Sequence, residues 1–210
     1  MFAHDKLGVI NNALMKIGLP LAASLEDCDW NASTVYDLVV EQILRSFNWG
    51  FAGVFTVITQ SGGMPAHGFR YSYAMPADCL RVIDVRCNFD LRSPKARFVV
   101  SGRNIYANVT PCNLRYVKLM LDPQDWPPDF TDAVSCRIAF EIASLSAQTM
   151  SMTPGLMQLY QLSLTQAQSV DATETTERVP LDESVLIARA GGKGPDAAGQ
   201  LERPQFIISC

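Results

Sequence analysis

Apolar positions near the start of the chain recur at intervals of three and four. Leu7, Ile10, Leu14 and Ile17 fall on one helical face. Gly18 supplies a C-terminal cap, with Pro20 just beyond it. After a polar, acidic connection, the pattern predicts a second helix from Ala32 to Phe47. Its stripe is Tyr36, Val40, Ile43 and Phe47, flanked by Val39 and Leu44. Asn31 or Ser33 can cap its start by accepting a bond from a free backbone N–H. Asn48-Trp49-Gly50 ends it.

The period then shortens to two. Val54 to Thr59 is β-branched and aromatic, and Ser61-Gly62-Gly63-Met64-Pro65 breaks it. Phe69, Tyr71 and Tyr73 alternate, which places three rings on one face of a strand. Pro76-Ala77-Asp78 reads as a turn, with strands following at Leu80 to Cys87, Arg97 to Val100, Asn104 to Val109 and Leu114 to Leu121. The expectation is one antiparallel meander. Trp49 and Phe51 are expected to pin the helices to it, with Tyr71 and Tyr73 lining that seam.

Helical spacing returns after Pro127-Pro128. Asp129 is the expected N-cap, and Phe130, Val134, Ile138, Ile142 and Leu145 the buried stripe of a helix over 129–149. Ala133, Ala139, Ala143 and Ser144 would let another helix approach closely. Leu156, Leu159, Tyr160, Ser163, Ala167 and Val170 form the weaker face of a last helix over 154–177. Gln158, Gln161, Gln166 and Gln168 make its other face polar but uncharged, a character that suits a protein interface.

The predicted class is therefore α+β: an antiparallel helical bundle with a β-sheet domain inserted between its second and third helices. The bundle takes residues 1–53 and 122–178, and the insert 54–121. Residues 179–210 form an extended C-terminal tail, interrupted by Gly191-Gly192-Lys193-Gly194-Pro195 and ending in apolar Phe206, Ile207 and Ile208. That tail is expected to order only against a partner.

Composition narrows the options. Apolar residues make up 48% and charged residues 18%, enough for a real core. No apolar run reaches the ~20 residues of a membrane span, and no signal peptide is expected from the Met1-Phe2-Ala3-His4-Asp5-Lys6 start. Six cysteines without a C-x-x-C pair and two histidines point to reduced thiols rather than a zinc site. The net charge of −4 is unevenly spread. Residues 70–118 hold nine Lys/Arg against three Asp/Glu, a net of +6, whereas 1–69 carry −3 and 119–210 carry −7. Solvated charge, complementarity between copies and nucleic-acid contact all remain open as explanations.

Candidate chemistry is thin. No phosphate-binding glycine motif occurs, and Gly191-Gly192-Lys193-Gly194 neither follows a strand nor opens a helix. Cys79 with Asp78 and His67 lacks the surroundings of a thiol nucleophile. Asp122, Asp125 and Asp129, broken by prolines, read as a turn and cap rather than metal ligands. No catalytic, cofactor or metal residues are assigned. The interface candidates are Arg86, Arg92, Arg97 and Arg103 in the basic third, Gln158 and Gln161 on the last helix, and Phe206, Ile207 and Ile208 in the tail.

A set of short segments in collinear order resembles a known family. They are Ala13-Leu14, Ile17-Gly18, Ser24-Leu25-Glu26-Asp27, Tyr36, Trp49-Gly50-Phe51-Ala52, Tyr71-Ser72-Tyr73-Ala74-Met75-Pro76-Ala77-Asp78-Cys79-Leu80, Gly102-Arg103, Tyr116-Val117, and Asp122-Pro123 leading to Phe130. Over residues 7–177 the chain resembles the head-to-tail adaptor (connector) family of tailed bacteriophages, of the tail tubular protein A type found in short-tailed phages. Residues 179–210 show no resemblance. The resemblance implies a virion protein made in the host cytoplasm, with neither catalysis nor a cofactor. It implies a dodecameric ring beneath the portal protein that extends the DNA channel and carries the tail nozzle or other tail proteins. DNA would pass through the lumen without sequence-specific binding, and no membrane would be involved. The alternative is a nucleic-acid-binding accessory protein that uses the basic β region.

Overall fold

The structure, a computed structural model, describes residues 5–28, 32–62, 65, 67–88, 94–145 and 149–175. Helices α1 (Lys6–Lys16) and α2 (Ala32–Ser46) precede six strands, and α3 (Pro128–Leu145) and α4 (Thr153–Thr175) follow them. The strands are β1 (Gly53–Ile58), β2 (Tyr71–Ala74), β3 (Cys79–Arg86), β4 (Phe98–Ser101), β5 (Asn104–Ala107) and β6 (Cys112–Lys118). The class is α+β, as expected. The expected tail at 179–210 lies outside the described residues.

Local chemistry sets the helix ends. Asp5 caps α1 by accepting a bond from the Gly8 N–H at 2.7 Å. At the other end Gly18 takes φ 73, the Gly18 N–H reaches Met15 O and the Leu19 N–H reaches Leu14 O. These paired bonds satisfy carbonyls the helix leaves free, and their left-handed residue favours glycine. Ser33 lies inside the first turn of α2, while Asn31 lies outside the described residues. Asp129 is not the cap of α3. The helix opens one residue earlier at Pro128, whose missing N–H costs nothing at the first helical position, and Asp129 sits in the first turn.

α3 is the central helix, packed against α1, α2 and α4. Phe130, Val134, Ile138 and Ile142 are buried as expected, and Ala133, Ala139 and Ala143 are buried beside them. Leu145 is not part of the stripe: it stands 67% exposed in the last turn. On α4, Leu156 and Ala167 are buried but Leu159 is exposed, because only a narrow strip of that helix meets α3.

The strands do not form one meander. They form two three-stranded antiparallel sheets, ordered β1-β6-β3 and β2-β5-β4. The first strand pairs with the last, Gly53 lying opposite Val117, and the Lys118 N–H extends the ladder to Ala52 O. Bulges in β3 between Cys79 and Arg81 and between Val82 and Asp84 shift its register against β6.

Two cores result. The first joins the helices to Trp49, Ala52, Val117 and Trp126, with Phe51, Leu80 and Ile83 packed against it. The second, between the sheets, contains Tyr73, Val85, Ile105, Ala107, Cys112, Leu114 and Tyr116. Tyr71 and Tyr73 therefore do not line the helix–sheet seam. β2 belongs to the second sheet, so its rings face the inter-sheet core, where the Tyr73 hydroxyl donates to Val109 O. Trp49 and Phe51 do hold the helical core, but through α3. Both rings meet Phe130 edge-on at 4.9 Å, and Trp126 meets it at 5.0 Å. Each such aromatic pair contributes about 0.5–1.5 kcal/mol beyond its area burial.

Asp171 on α4 completes the joint. Both of its carboxylate oxygens accept the Gly50 N–H at 2.9 Å, which ties the far end of α4 to the turn after α2. No helix among the described residues is long and apolar enough to cross a membrane.

Candidate functional site

The β4–β5 hairpin turns through two residues, Gly102 and Arg103, with Ser101 paired to Asn104. Gly102 takes φ 59, a conformation that suits the tight turn and strains other residues. The turn projects Arg103, whose Nη2 donates to Pro76 O at 2.9 Å. Beside it lie Arg81 on β3 and Arg45 in the last turn of α2. Arg45 donates to Leu80 O at 3.3 Å, and Arg81 Nη2 donates to Asn48 Oδ1. Together with Met75, Cys79, Leu80, Val82 and Val100, the three arginines line a recess of about 350 Å³.

The sequence-predicted basic residues divide. Arg103 is exposed on this recess, and Arg97 is exposed just ahead of β4. Arg86 does not reach the surface. It is 7% exposed, its Nε lies 3.2 Å from Asp84 Oδ1, and the Asn113 amide donates to its carbonyl. Successive odd or even positions of a strand share a face, so Asp84 and Arg86 pair along β3. Arg92, Phe206, Ile207 and Ile208 lie outside the described residues.

Gln158 and Gln161 are exposed on α4, beside Leu159 at 40% and Leu162 at 71% exposure. A second apolar surface lies on edge strand β1, where Phe55 and Val57 are 45% and 49% exposed and Arg115 covers the Phe55 ring at 5.1 Å. Val99 and Val100 are exposed on edge strand β4. A wider apolar recess of about 700 Å³ lies between the ends of α1 and α3, lined by Leu14, Leu19, Leu21, Ile142 and Leu145.

No family model and no curated protein matches this chain. Burial, with the Asp78 charge beside it, pushes the Cys79 thiol up to about 11, so it stays protonated at neutral pH. Asp78 accepts from the Tyr116 hydroxyl, and the His67 ring packs edge-on against Tyr106. Neither contact prepares a nucleophile. Burial alone pushes Cys112 up to about 12. Asp122 accepts the Gln124 N–H of a short 3-10 turn, as its turn reading requires. Among the described residues no group of three or more His, Cys, Asp or Glu is placed to hold a metal ion.

One polar cluster joins residues far apart in the sequence. Asp132 on α3 lies 2.8 Å from Lys16 Nζ on α1 and accepts the Ser163 hydroxyl of α4 at 2.8 Å. Burial raises the Asp132 carboxyl, but the bonds from Lys16 and Ser163 outweigh it and hold the group below its ordinary value. Cys136, kept up by burial, touches both Asp132 and Ser163. The cluster is a three-helix tie.

Proposed function

We propose that this chain is a structural subunit of a bacteriophage neck, assembling side by side into a closed ring between the portal vertex and the tail. In this reading an antiparallel helical bundle carries the β region as a domain inserted between α2 and α3. The ring extends the DNA channel and is the platform for tail attachment. It turns over no substrate and needs no cofactor. The dodecameric count comes from the family resemblance.

The observation that carries the reading is the outer face of α4. From Thr153 to Val170 the helix has no charged residue, yet Leu159 and Leu162 face outward among glutamines. A helix facing open water ordinarily carries charge there, and exposed apolar patches mark contact surfaces. The outward Phe55 and Val57 of β1 and the open edge of β4 add further surface of the same kind. Two different surfaces on one subunit permit a heterologous contact, which closes into a ring when the rotation allows.

Negative-stain imaging tests this, on the full chain alone and mixed with the portal protein of its virion. Closed rings in either sample are expected. Single copies in both samples refute the ring. Steeply salt-dependent binding to duplex DNA without rings would favour the nucleic-acid reading.

A further inference from the structure

We infer that the recess of Arg45, Arg81 and Arg103 receives a carboxylate from an acidic protein segment. This deepens the ring reading, in which that segment belongs to the neighbouring copy. All three arginines line the recess, and none has a carboxylate partner among the described residues. Their bonds go to neutral acceptors: Leu80 O, Asn48 Oδ1 and Pro76 O. Arg81 Nε is a buried donor without an acceptor. An arginine offers five N–H donors in a planar fork, so most of the donor capacity here is unspent.

The walls strengthen the case. Met75, Leu80 and Val82 give the recess partly buried apolar walls, and a charge-assisted bond gains strength in such surroundings. Three like charges repel where they line one recess, and an incoming carboxylate offsets that repulsion. A concave site of about 350 Å³ suits a single carboxylate side chain better than a nucleic-acid backbone, which follows an open basic groove. The chain also supplies the complement. Residues 119–210 carry a net charge of −7, and Asp125 and Glu174 are exposed with no ion pair among the described residues.

The experiment uses the full chain with Arg45→Glu, Arg103→Glu and the control Arg70→Glu. Arg45, Arg70 and Arg103 are all exposed, so each variant is expected to fold, which circular dichroism checks. Sedimentation velocity at low salt reads self-association, and fluorescence anisotropy reads binding of a labelled polyglutamate peptide. Arg45→Glu and Arg103→Glu are each expected to weaken both by about tenfold or more, and Arg70→Glu neither. Polyglutamate binding unchanged in both recess variants overturns the inference, whatever the assembly state. So does duplex DNA bound in place of the peptide and lost in the same two variants. A chain that never self-associates, yet binds polyglutamate through Arg45 and Arg103, supports the recess and overturns the ring.

Discussion

Asp171→Ala removes the carboxylate that grips the Gly50 N–H. Both carboxylate oxygens lie 2.9 Å from that nitrogen, and the residue is only 6% exposed, so water replaces the bond poorly. A hydrogen bond to a charged group contributes about 1.5–3 kcal/mol. Part of that is offset, because alanine also relieves the cost of keeping a carboxylate out of water. The expected net loss is about 1–2 kcal/mol, or roughly 2–8 °C in Tm for a unit of this size. Asp171→Asn keeps one oxygen acceptor without its charge and should lose about half as much. Urea unfolding followed by tryptophan fluorescence suits the test, since Trp49 lies beside the joint. The order wild type, Asn, Ala is the prediction. If Asp171→Leu proves more stable than wild type, the carboxylate is a burial cost and the tie reasoning fails.

Other perturbations probe neighbouring features. Gly50→Ala would set a Cβ 2.1 Å from Thr175 Oγ1 and 3.3 Å from Thr175 Cβ, so a loss of about 1 kcal/mol is expected in thermal melts, with Thr175→Ala restoring most of it. Because Asp132 is held below its ordinary value, its stabilisation is complete above the unfolded value of 3.8 and is lost as pH falls through the folded one. Unfolding titrations from pH 6 down to about pH 2.5 should therefore show a steeper acid loss in wild type than in Asp132→Asn, and equal slopes would refute the assignment. Leu162→Glu, at a largely exposed site, should leave stability within about 0.5 kcal/mol of wild type while reducing ring formation in negative stain.

The helices were legible because their buried residues contrast with their surroundings. Leu7, Ile10, Leu14 and Ile17 recur on one face, and the bonds at Gly18 stop the helix where its glycine says they should. The strands were legible as strands, but their partners were not. Alternation assigns faces, not neighbours. In β6, Leu114 and Tyr116 face one core and Val117 the other, so a strand covered on both sides loses the alternation that would place it. The same loss of contrast hid Leu159, since α4 keeps leucines on its outer face. Arg45, Arg81 and Arg103 come from three separate segments, and only the folded register of β3 and the β4–β5 turn brings them together.

The pairing of β1 with β6 has a consequence for how this chain can change. Gly53 and Val117 stand opposite each other, and Ala52 accepts the Lys118 N–H at 2.9 Å. The polypeptide thus returns within one strand spacing, about 4.8 Å, of where it departed. Between those ends β3 still reaches the helical core through Leu80 and Ile83, whereas the second sheet enters only the inter-sheet core, so its turns could lengthen while that threshold stays fixed.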